Sequence, residues 1–138
     1  MSLLCSEARS EGFAFLERLV RDWERGTNRF TGAGEALVGA FVGMQLVGVA
    51  GLNREPYDPA PARARLRHLY VLKAFRRQGG ARALVTHLVE AARPSFGEIR
   101  LHTETDDAAA FYERMGFQPS TLPTATHVRL LRRDGRHA

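Results

Sequence analysis

The sequence predicts a mixed α/β fold in which helices cover one central sheet. Two observations support this prediction. Residues 36–52 have the composition of a strand hairpin, and two strand–helix–strand successions follow between residues 65 and 131. A hairpin makes an antiparallel pair, whereas strands joined through a helix need a sheet that helices cover. With 138 residues, of which 44% are hydrophobic, we expect one domain, residues 1–138.

The first third of the chain predicts one amphipathic helix. Within residues 10–24, Phe13, Leu16, Val20 and Trp23 recur every three or four positions and so share a helix face. Residues 3–8 are predicted as a short first strand. The glycines after residue 25 then predict a loop that ends the helical region.

The middle of the chain predicts three strands. Residues 36–52 are rich in Val, Leu and Phe and are interrupted by Gly43-Met44-Gln45, which indicates a tight turn. Residues 55–62 contain three prolines and an aspartate, so we expect a loop at the surface. A strand over residues 65–72 follows this loop.

The last part of the chain alternates helices and strands. A helix is predicted over residues 82–93, because its apolar residues share one side and Pro94 ends it. A strand over residues 99–103 and a helix over residues 106–115 come next, with Gly116 in the position that commonly ends a helix. Residues 128–131 are predicted as the closing strand.

Composition excludes several classes of protein. The net charge is +5, but Lys73 is the single lysine and the arginines are scattered, which argues against a nucleic-acid-binding stripe. The lone Cys5 excludes an intramolecular disulfide and a cysteine-rich metal site, and no metal is expected. No stretch reaches the roughly 18 to 20 apolar residues of a membrane span, and no secretory signal is visible. We therefore expect a cytoplasmic protein without a membrane partner.

A glycine-containing turn between the strand at 65–72 and the helix at 82–93 suggests phosphate binding. Its residues are Arg76, Arg77, Gln78, Gly79, Gly80 and Ala81. The first turn of a helix carries backbone N–H groups without partners and about half a positive charge. Glycines let a diphosphate approach these groups, and arginines can add charged hydrogen bonds. The alternative is an ordinary strand-to-helix turn.

A second motif lies downstream, and together the two resemble a known family, the Gcn5-related N-acetyltransferases (GNAT). The first motif matches at Val71, Arg76, Gly79 and Ala81, and the second at Ala108, Phe111, Tyr112, Gly116 and Phe117. Two departures are visible: Lys73 stands where the family usually has proline, and Thr105 where it commonly has asparagine. Thr105 is expected to bond the pantetheine arm or to cap the following helix.

The resemblance implies a mostly antiparallel sheet with a splayed strand pair. It implies an acetyl-CoA-dependent N-acetyltransferase in which a primary amine of a small molecule or peptide attacks the thioester directly, in a ternary complex. The implied acetyl-CoA-binding residues are Leu69, Val71, Arg76, Arg77, Gly79, Gly80, Ala81, Arg82 and Thr105. Homodimers are common in the family, so a homodimer is one expected state.

The resemblance also implies catalytic roles. A backbone N–H between Leu69 and Val71 is the candidate oxyanion donor. Tyr112 is the candidate acid, because a phenol pKa of about 10 lies above that of a thiol. The alternative is that Tyr112 only packs its ring beside Phe111.

The general base is left open by the sequence. Several relatives use a glutamate on the strand that here carries Arg65 and Arg67, and guanidinium groups accept no protons. His68, His127 and ordered water are the candidates, although strand alternation points His68 away from Arg67 unless a bulge intervenes.

The two arginines also bear on the acceptor. If Arg65 and Arg67 face the site, the acceptor amine is expected to carry a carboxylate or phosphate. Two other functions remain as alternatives: a CoA-binding regulatory module without turnover, and an acetyltransferase or binder acting on RNA.

Overall fold

The computed structural model describes residues 1–57 and 62–131. The helices are α1 (Ser2–Ser10), α2 (Phe15–Glu24), α3 (Gly80–Ala92) and α4 (Asp106–Arg114), with a 3-10 helix at Lys73–Phe75. The strands are β1 (Ala36–Val42), β2 (Gln45–Arg54), β3 (Arg63–Val71), β4 (Glu98–Leu101), β5 (Gln118–Pro119) and β6 (His127–Leu130). Within this part of the chain no helix is long and apolar enough to cross a membrane.

The six strands form one sheet in the order β1-β2-β3-β4-β6-β5. Every neighbouring pair is antiparallel except β3 and β4, which run parallel. Their pairing covers only three positions and ends where Arg65 lies opposite Arg100, whereas β3 continues to Val71. The two strands therefore separate and leave one backbone edge of β3 open, which confirms the predicted splayed pair.

A bulge interrupts β3 inside this open stretch. Gly51 of β2 lies opposite Arg67, whereas Val49 lies opposite Tyr70, so β3 holds one extra residue between these positions. His68 has a φ of 62°, in the left-handed region, which fits a β-bulge residue. Because of this bulge, His68 lies on the same side of the sheet as Arg67.

The core is divided between the two faces of the sheet. On one face α3 and α4 pack against apolar residues of β2, β3 and β4, including Leu52, Leu66 and Ile99. On the other face α1 and α2 bury Leu4, Leu16 and Leu19 against Val47, Val49 and Tyr70. The predicted α/β class, with helices flanking a mixed sheet, is thus confirmed.

The prediction of a strand at residues 3–8 is wrong, because this segment belongs to α1. Leu4 and Ala8 are buried whereas Ser6 between them is exposed, which fits the helical repeat, since in a strand all three side chains would share one face. The next helix also begins later than predicted, at Phe15, after a turn in which Gly12 has a φ of 88°. Its buried residues are Leu16 and Leu19, whereas Trp23 is largely exposed.

The loop predicted over residues 55–62 is only partly a surface loop. Residues 58–61 lie outside the described part of the chain, and Tyr57 is exposed, but Glu55 is completely buried. The sequence also missed β5, a two-residue strand that pairs with β6. The structure confirms the predicted positions of the hairpin and of the strand and helix on either side of the glycine turn. It also confirms those of β4, α4 and β6.

Candidate active site

The glycine turn leaves the start of α3 uncapped. Gly79 occupies the N-cap position with a φ of 85°, and no side chain caps the helix. A Cβ at Gly79 would meet no atom within 4 Å, and at Gly80 only Val71 Cγ1 at 4.0 Å. The space beside the two glycines is therefore open and the first-turn amides have no capping side chain, which suits an anion. The glycine at position 79 is required by the left-handed backbone rather than by a close neighbour.

The side chain of Arg76 is engaged in holding this turn. Its Nε donates to the Val71 carbonyl oxygen at 2.9 Å, and its Nη2 donates to Glu11 Oε1 at 2.7 Å. The guanidinium also lies 5.2 Å from the ring centroid of Tyr70. By contrast, Arg77 and Arg82 are exposed at the same turn. Among residues 1–57 and 62–131, the guanidinium groups beside the uncapped helix that have no hydrogen-bond or ion-pair partner are thus those of Arg77 and Arg82.

Two carboxylates at the end of α1 complete this support. Glu7 Oε1 accepts from the Lys73 amide at 2.7 Å and lies 2.8 Å from the Tyr70 hydroxyl. Glu11 Oε1 lies 2.6 Å from the same hydroxyl. Hydrogen bonds from Arg76 and Tyr70 lower the pKa of Glu11 from 4.5 to about 2. Burial, together with these carboxylates, raises the pKa of Tyr70.

Sequence reasoning missed this pair because it placed Glu7 in a strand over residues 3–8 and Glu11 in a separate helix over residues 10–24. Their four-residue spacing places them one turn apart on a helix.

Tyr112 lies on α4, on the same face of the sheet as Val71 and Leu69. Its ring packs edge-on against Phe111 and Phe117, with centroids 5.2 and 5.5 Å away. The residue is 7% exposed, and burial raises the pKa of its hydroxyl. The hydroxyl makes no hydrogen bond to the described residues, so Tyr112 is both a packing residue and a protonated phenol with an unused donor.

Thr105 acts as the N-cap of α4. Its Oγ1 accepts a hydrogen bond from the Ala108 amide at 3.2 Å, which is the capping role expected as one alternative. A capping hydroxyl still has its own hydrogen to donate.

Arg65 is neutralised inside the protein. Its Nη2 lies 2.8 Å from Oε1 of Glu55, and its Nε donates to both oxygens of that carboxylate at 3.0 Å. The guanidinium also donates to the Thr124 carbonyl oxygen and stacks 4.8 Å from the Tyr57 ring centroid. Arg65 is 5% exposed, so these contacts compensate a positive charge that is buried in the protein.

Arg67 has a different environment two residues further along β3. It is half-buried, and its Nη1 donates to Asn53 Oδ1 at 3.4 Å. Among residues 1–57 and 62–131, no carboxylate forms an ion pair with it. The structure thus separates the two arginines that the sequence treated alike.

His68 is a buried, neutral imidazole. Its ring lies 6.3 and 6.4 Å from the rings of Phe30 and Phe15, and it is 8% exposed. Burial, and then the charge of Arg67, lower its pKa to about 4. Its Nδ1 is the only buried side-chain nitrogen or oxygen of the described chain without a hydrogen-bond partner.

His127 lies at the start of β6, opposite Leu101 of β4, and both of its ring nitrogens are engaged. Nε2 lies 2.9 Å from Glu113 Oε2, and Nδ1 lies 3.0 Å from Thr126 Oγ1. The same Thr126 oxygen accepts from the Thr103 amide at 3.0 Å. His127 thus ties α4 to the segment that follows β4.

A sheet opened between two parallel strands beside an uncapped helix is the architecture of an acyltransferase. More particularly, the chain belongs to the Acetyltransferase (GNAT) family, whose family model matches residues 2–117.

Individual relatives agree with this assignment. Over 81 residues the chain is 35% identical to the N-alpha-acetyltransferase RimI of Mycobacterium tuberculosis, a match that covers 59% of this chain and 51% of the relative. The chain thus spans about half the length of this relative.

Solved structures share the fold. A proposed acetyltransferase from Exiguobacterium sp. 255-15 is 27% identical with a TM-score of 0.82, and the match covers 92% of this chain and 82% of that one. An acetyltransferase of the GNAT family from Staphylococcus aureus Mu50 is 18% identical with a TM-score of 0.72, over 94% and 88% of the two chains.

Proposed function

We propose that the protein transfers the acetyl group of acetyl-CoA to a primary amine, by direct attack within a ternary complex. The observation that carries this proposal is the separation of β3 from β4 beyond Arg65, which leaves a backbone edge next to the uncapped start of α3. An open strand edge offers hydrogen bonds to the amides of a pantetheine arm, and helix amides offer them to its diphosphate.

The donor side of the site would use main-chain groups more than side chains. Leu69 and Val71 supply the strand edge, and the turn from Gly79 to Arg82 supplies the amides. Arg77 and Arg82 are exposed and free to bind phosphate oxygens. Arg76 contributes indirectly, because its guanidinium holds the turn against α1.

The chemistry requires two proton transfers. The amine nitrogen forms a bond to the thioester carbon, the carbon–sulfur bond breaks, and the leaving thiolate takes a proton. Tyr112 is suited to supply this proton, since its raised pKa keeps the phenol protonated at neutral pH. A backbone N–H at the bulge between Leu69 and Val71 would stabilise the oxyanion.

The proton of the attacking amine goes to His68, directly or through water. Of the two histidine candidates, His127 has both ring nitrogens bonded, whereas the buried Nδ1 of His68 has no hydrogen-bond partner in the described chain and its ring is neutral above about pH 4. Its basicity is weak, but the N-protonated adduct formed after attack is much more acidic than a free ammonium ion. A weak base is therefore sufficient at that stage.

The experiment that tests this function is an acceptor screen with acetyl-CoA, following released thiol. Peptides with free N-terminal amines belong in it, because the relative named above is an N-alpha-acetyltransferase. So do free amino acids, polyamines and other small amines. Calorimetric titration with acetyl-CoA runs beside the screen. Binding with turnover supports the proposal, binding without turnover on any amine indicates a regulatory module, and absence of binding contradicts both.

A further inference from the structure

The arginines near the opening between β3 and β4 differ in how their charge is balanced. Arg65 is paired with Glu55, and Arg63 and Arg100 lie 3.6 and 2.6 Å from Glu98. Arg67 alone among these four has no carboxylate partner within residues 1–57 and 62–131. Placing a guanidinium in a half-buried position without a counter-charge costs free energy unless a ligand or water completes its bonding.

The neighbours of Arg67 contact its side chain but leave most of its hydrogen-bond donors without acceptors. Asn53 and Asn28 form a reciprocal pair, in which Asn28 Nδ2 donates to Asn53 Oδ1 at 2.8 Å and Asn53 Nδ2 donates to Asn28 Oδ1 at 3.0 Å. The bond from Arg67 to Asn53 Oδ1 is longer, at 3.4 Å, and goes to an oxygen already engaged. Most of the five N–H donors of the guanidinium therefore have no acceptor in the described structure.

The position of Arg67 places this unbalanced charge at the reacting end of the opening. It lies two residues beyond the last β3–β4 pair at Arg65, and directly before the bulge residue His68. On the same side of the sheet, Nδ1 of His68 is a buried side-chain nitrogen without a hydrogen-bond partner among the described residues. The cationic guanidinium of Arg67 and the neutral imidazole of His68 thus belong to neighbouring residues on one side of the sheet, and this arrangement is complementary to a molecule that carries an anion next to an amine.

We propose that Arg67 binds a carboxylate of the acceptor and so determines that the acceptor is a small amino acid-like molecule, with a free carboxylate close to its amine. This inference rests on the proposed N-acetyltransferase function. The planar guanidinium of Arg67 would bind the carboxylate of the acceptor through two parallel hydrogen bonds. This would orient the acceptor's amine toward the β3 bulge. The N-terminal amine of a long peptide lacks such a carboxylate and is a poorer acceptor.

The test compares free amino acids with their matching carboxamides, which keep the size and the amine but lose the charge. For the wild-type protein we expect kcat/KM to be at least about 10-fold higher for the acids. Arg67→Gln lowers kcat/KM for the acids by about 10- to 100-fold, the loss typical of a charged hydrogen bond, and leaves the carboxamides unchanged. Amino phosphonates in the same assay distinguish a carboxylate site from a general anion site.

The matched control is Arg25→Gln, which removes the same charge from an exposed position after α2. It should leave both kinds of acceptor unaffected. Melting temperatures and acetyl-CoA affinities of the two variants show whether the fold and the donor site are intact. Equal kcat/KM for acids and carboxamides in the wild type, or an equal loss for both in Arg67→Gln, overturns the inference while the transferase function stands.

A protein that acetylates no amine contradicts the proposed function instead, and binding then decides the inference separately. Calorimetry with the protein saturated in CoA measures amino acid and carboxamide binding without turnover. Preference for the acid that is lost in Arg67→Gln supports the Arg67 site, and absence of any preference overturns it.

Discussion

Arg76 Nη2 lies 2.7 Å from Oε1 of Glu11, and this ion pair joins the glycine turn to the end of α1 across 65 residues of sequence. Because Arg76 also donates to the Val71 carbonyl oxygen, a single side chain connects α1, the end of β3 and the start of the turn. The N-terminal helix thus supports the segment that is proposed to hold the diphosphate.

Removal of this support should weaken acetyl-CoA binding. In Glu11→Gln the ion pair with Arg76 is lost, and we expect the Kd for acetyl-CoA to rise about 3- to 10-fold, a change of about 1 kcal/mol. Calorimetric titration measures it. The control is Glu17→Gln, which breaks the exposed pair with Arg9 and should leave the Kd unchanged. An unaltered Kd in Glu11→Gln would mean that the turn holds its shape without α1.

The ion pair between Glu11 and Arg76 makes the free energy of unfolding depend on pH in the acidic range. The pKa of Glu11 is about 2 in the folded chain and close to 4.5 when unfolded, so folding favours its ionised form. Its contribution is complete above about pH 4.5 and is lost as the pH falls toward 2. Because Arg76 is partly exposed, we expect about 1 kcal/mol. Urea denaturation from pH 6 to 2.5 should show a shallower loss of unfolding free energy in Glu11→Gln than in wild type.

Tyr112 can be tested without disturbing its packing. Tyr112→Phe keeps the ring between Phe111 and Phe117 and removes a hydroxyl that bonds no described residue, so the melting temperature should change little. We expect kcat to fall about 100-fold, the usual contribution of a general acid, with an unchanged Kd for acetyl-CoA. Tyr57→Phe, at an exposed position, is the control. Full activity in Tyr112→Phe would remove the acid role.

The pH dependence of the reaction reports on His68. Since burial holds its pKa near 4, the wild-type kcat/KM should show no inflection between pH 5.5 and 7.5 from this residue. His68→Asn keeps a residue type that tolerates a positive φ and removes the imidazole. We expect kcat to fall at least about 10-fold with the fold retained. A variant as active as wild type would assign the amine proton to water.

Glu55 is expected to be critical for folding. In Glu55→Gln the buried guanidinium of Arg65 loses its counter-charge, which should cost about 3 to 5 kcal/mol of unfolding free energy. Chemical denaturation measures this loss. Arg67→Gln is the comparison, because its guanidinium has no carboxylate partner in the described chain, and it should cost far less. Similar losses in the two variants would contradict the distinction drawn between Arg65 and Arg67.

Local patterns predicted most of the fold. The turn at Gly43 gives a hairpin, and Gly116, with a φ of 91°, follows the end of α4 as expected. The prediction for residues 3–8 was wrong because a short amphipathic stretch is compatible with a strand or a helix. Packing against β3 determines which of the two forms. The sequence did not predict whether a bulge forms at His68, because the bulge depends on how β3 pairs with β2.

The sequence by itself determined which residues we propose for the donor side of this protein, because the glycine turn and the Tyr112 motif are each contiguous and would act largely through the backbone and one ring. Only the tertiary structure distinguished the two arginines considered for the acceptor side. Arg65 and Arg67 are the same residue type two positions apart, and what separates them is that β3 places one beside Glu55 and the other beside Asn53. Neighbours that are distant in sequence determine whether each of these charges has a counter-charge, so no local sequence pattern predicts it.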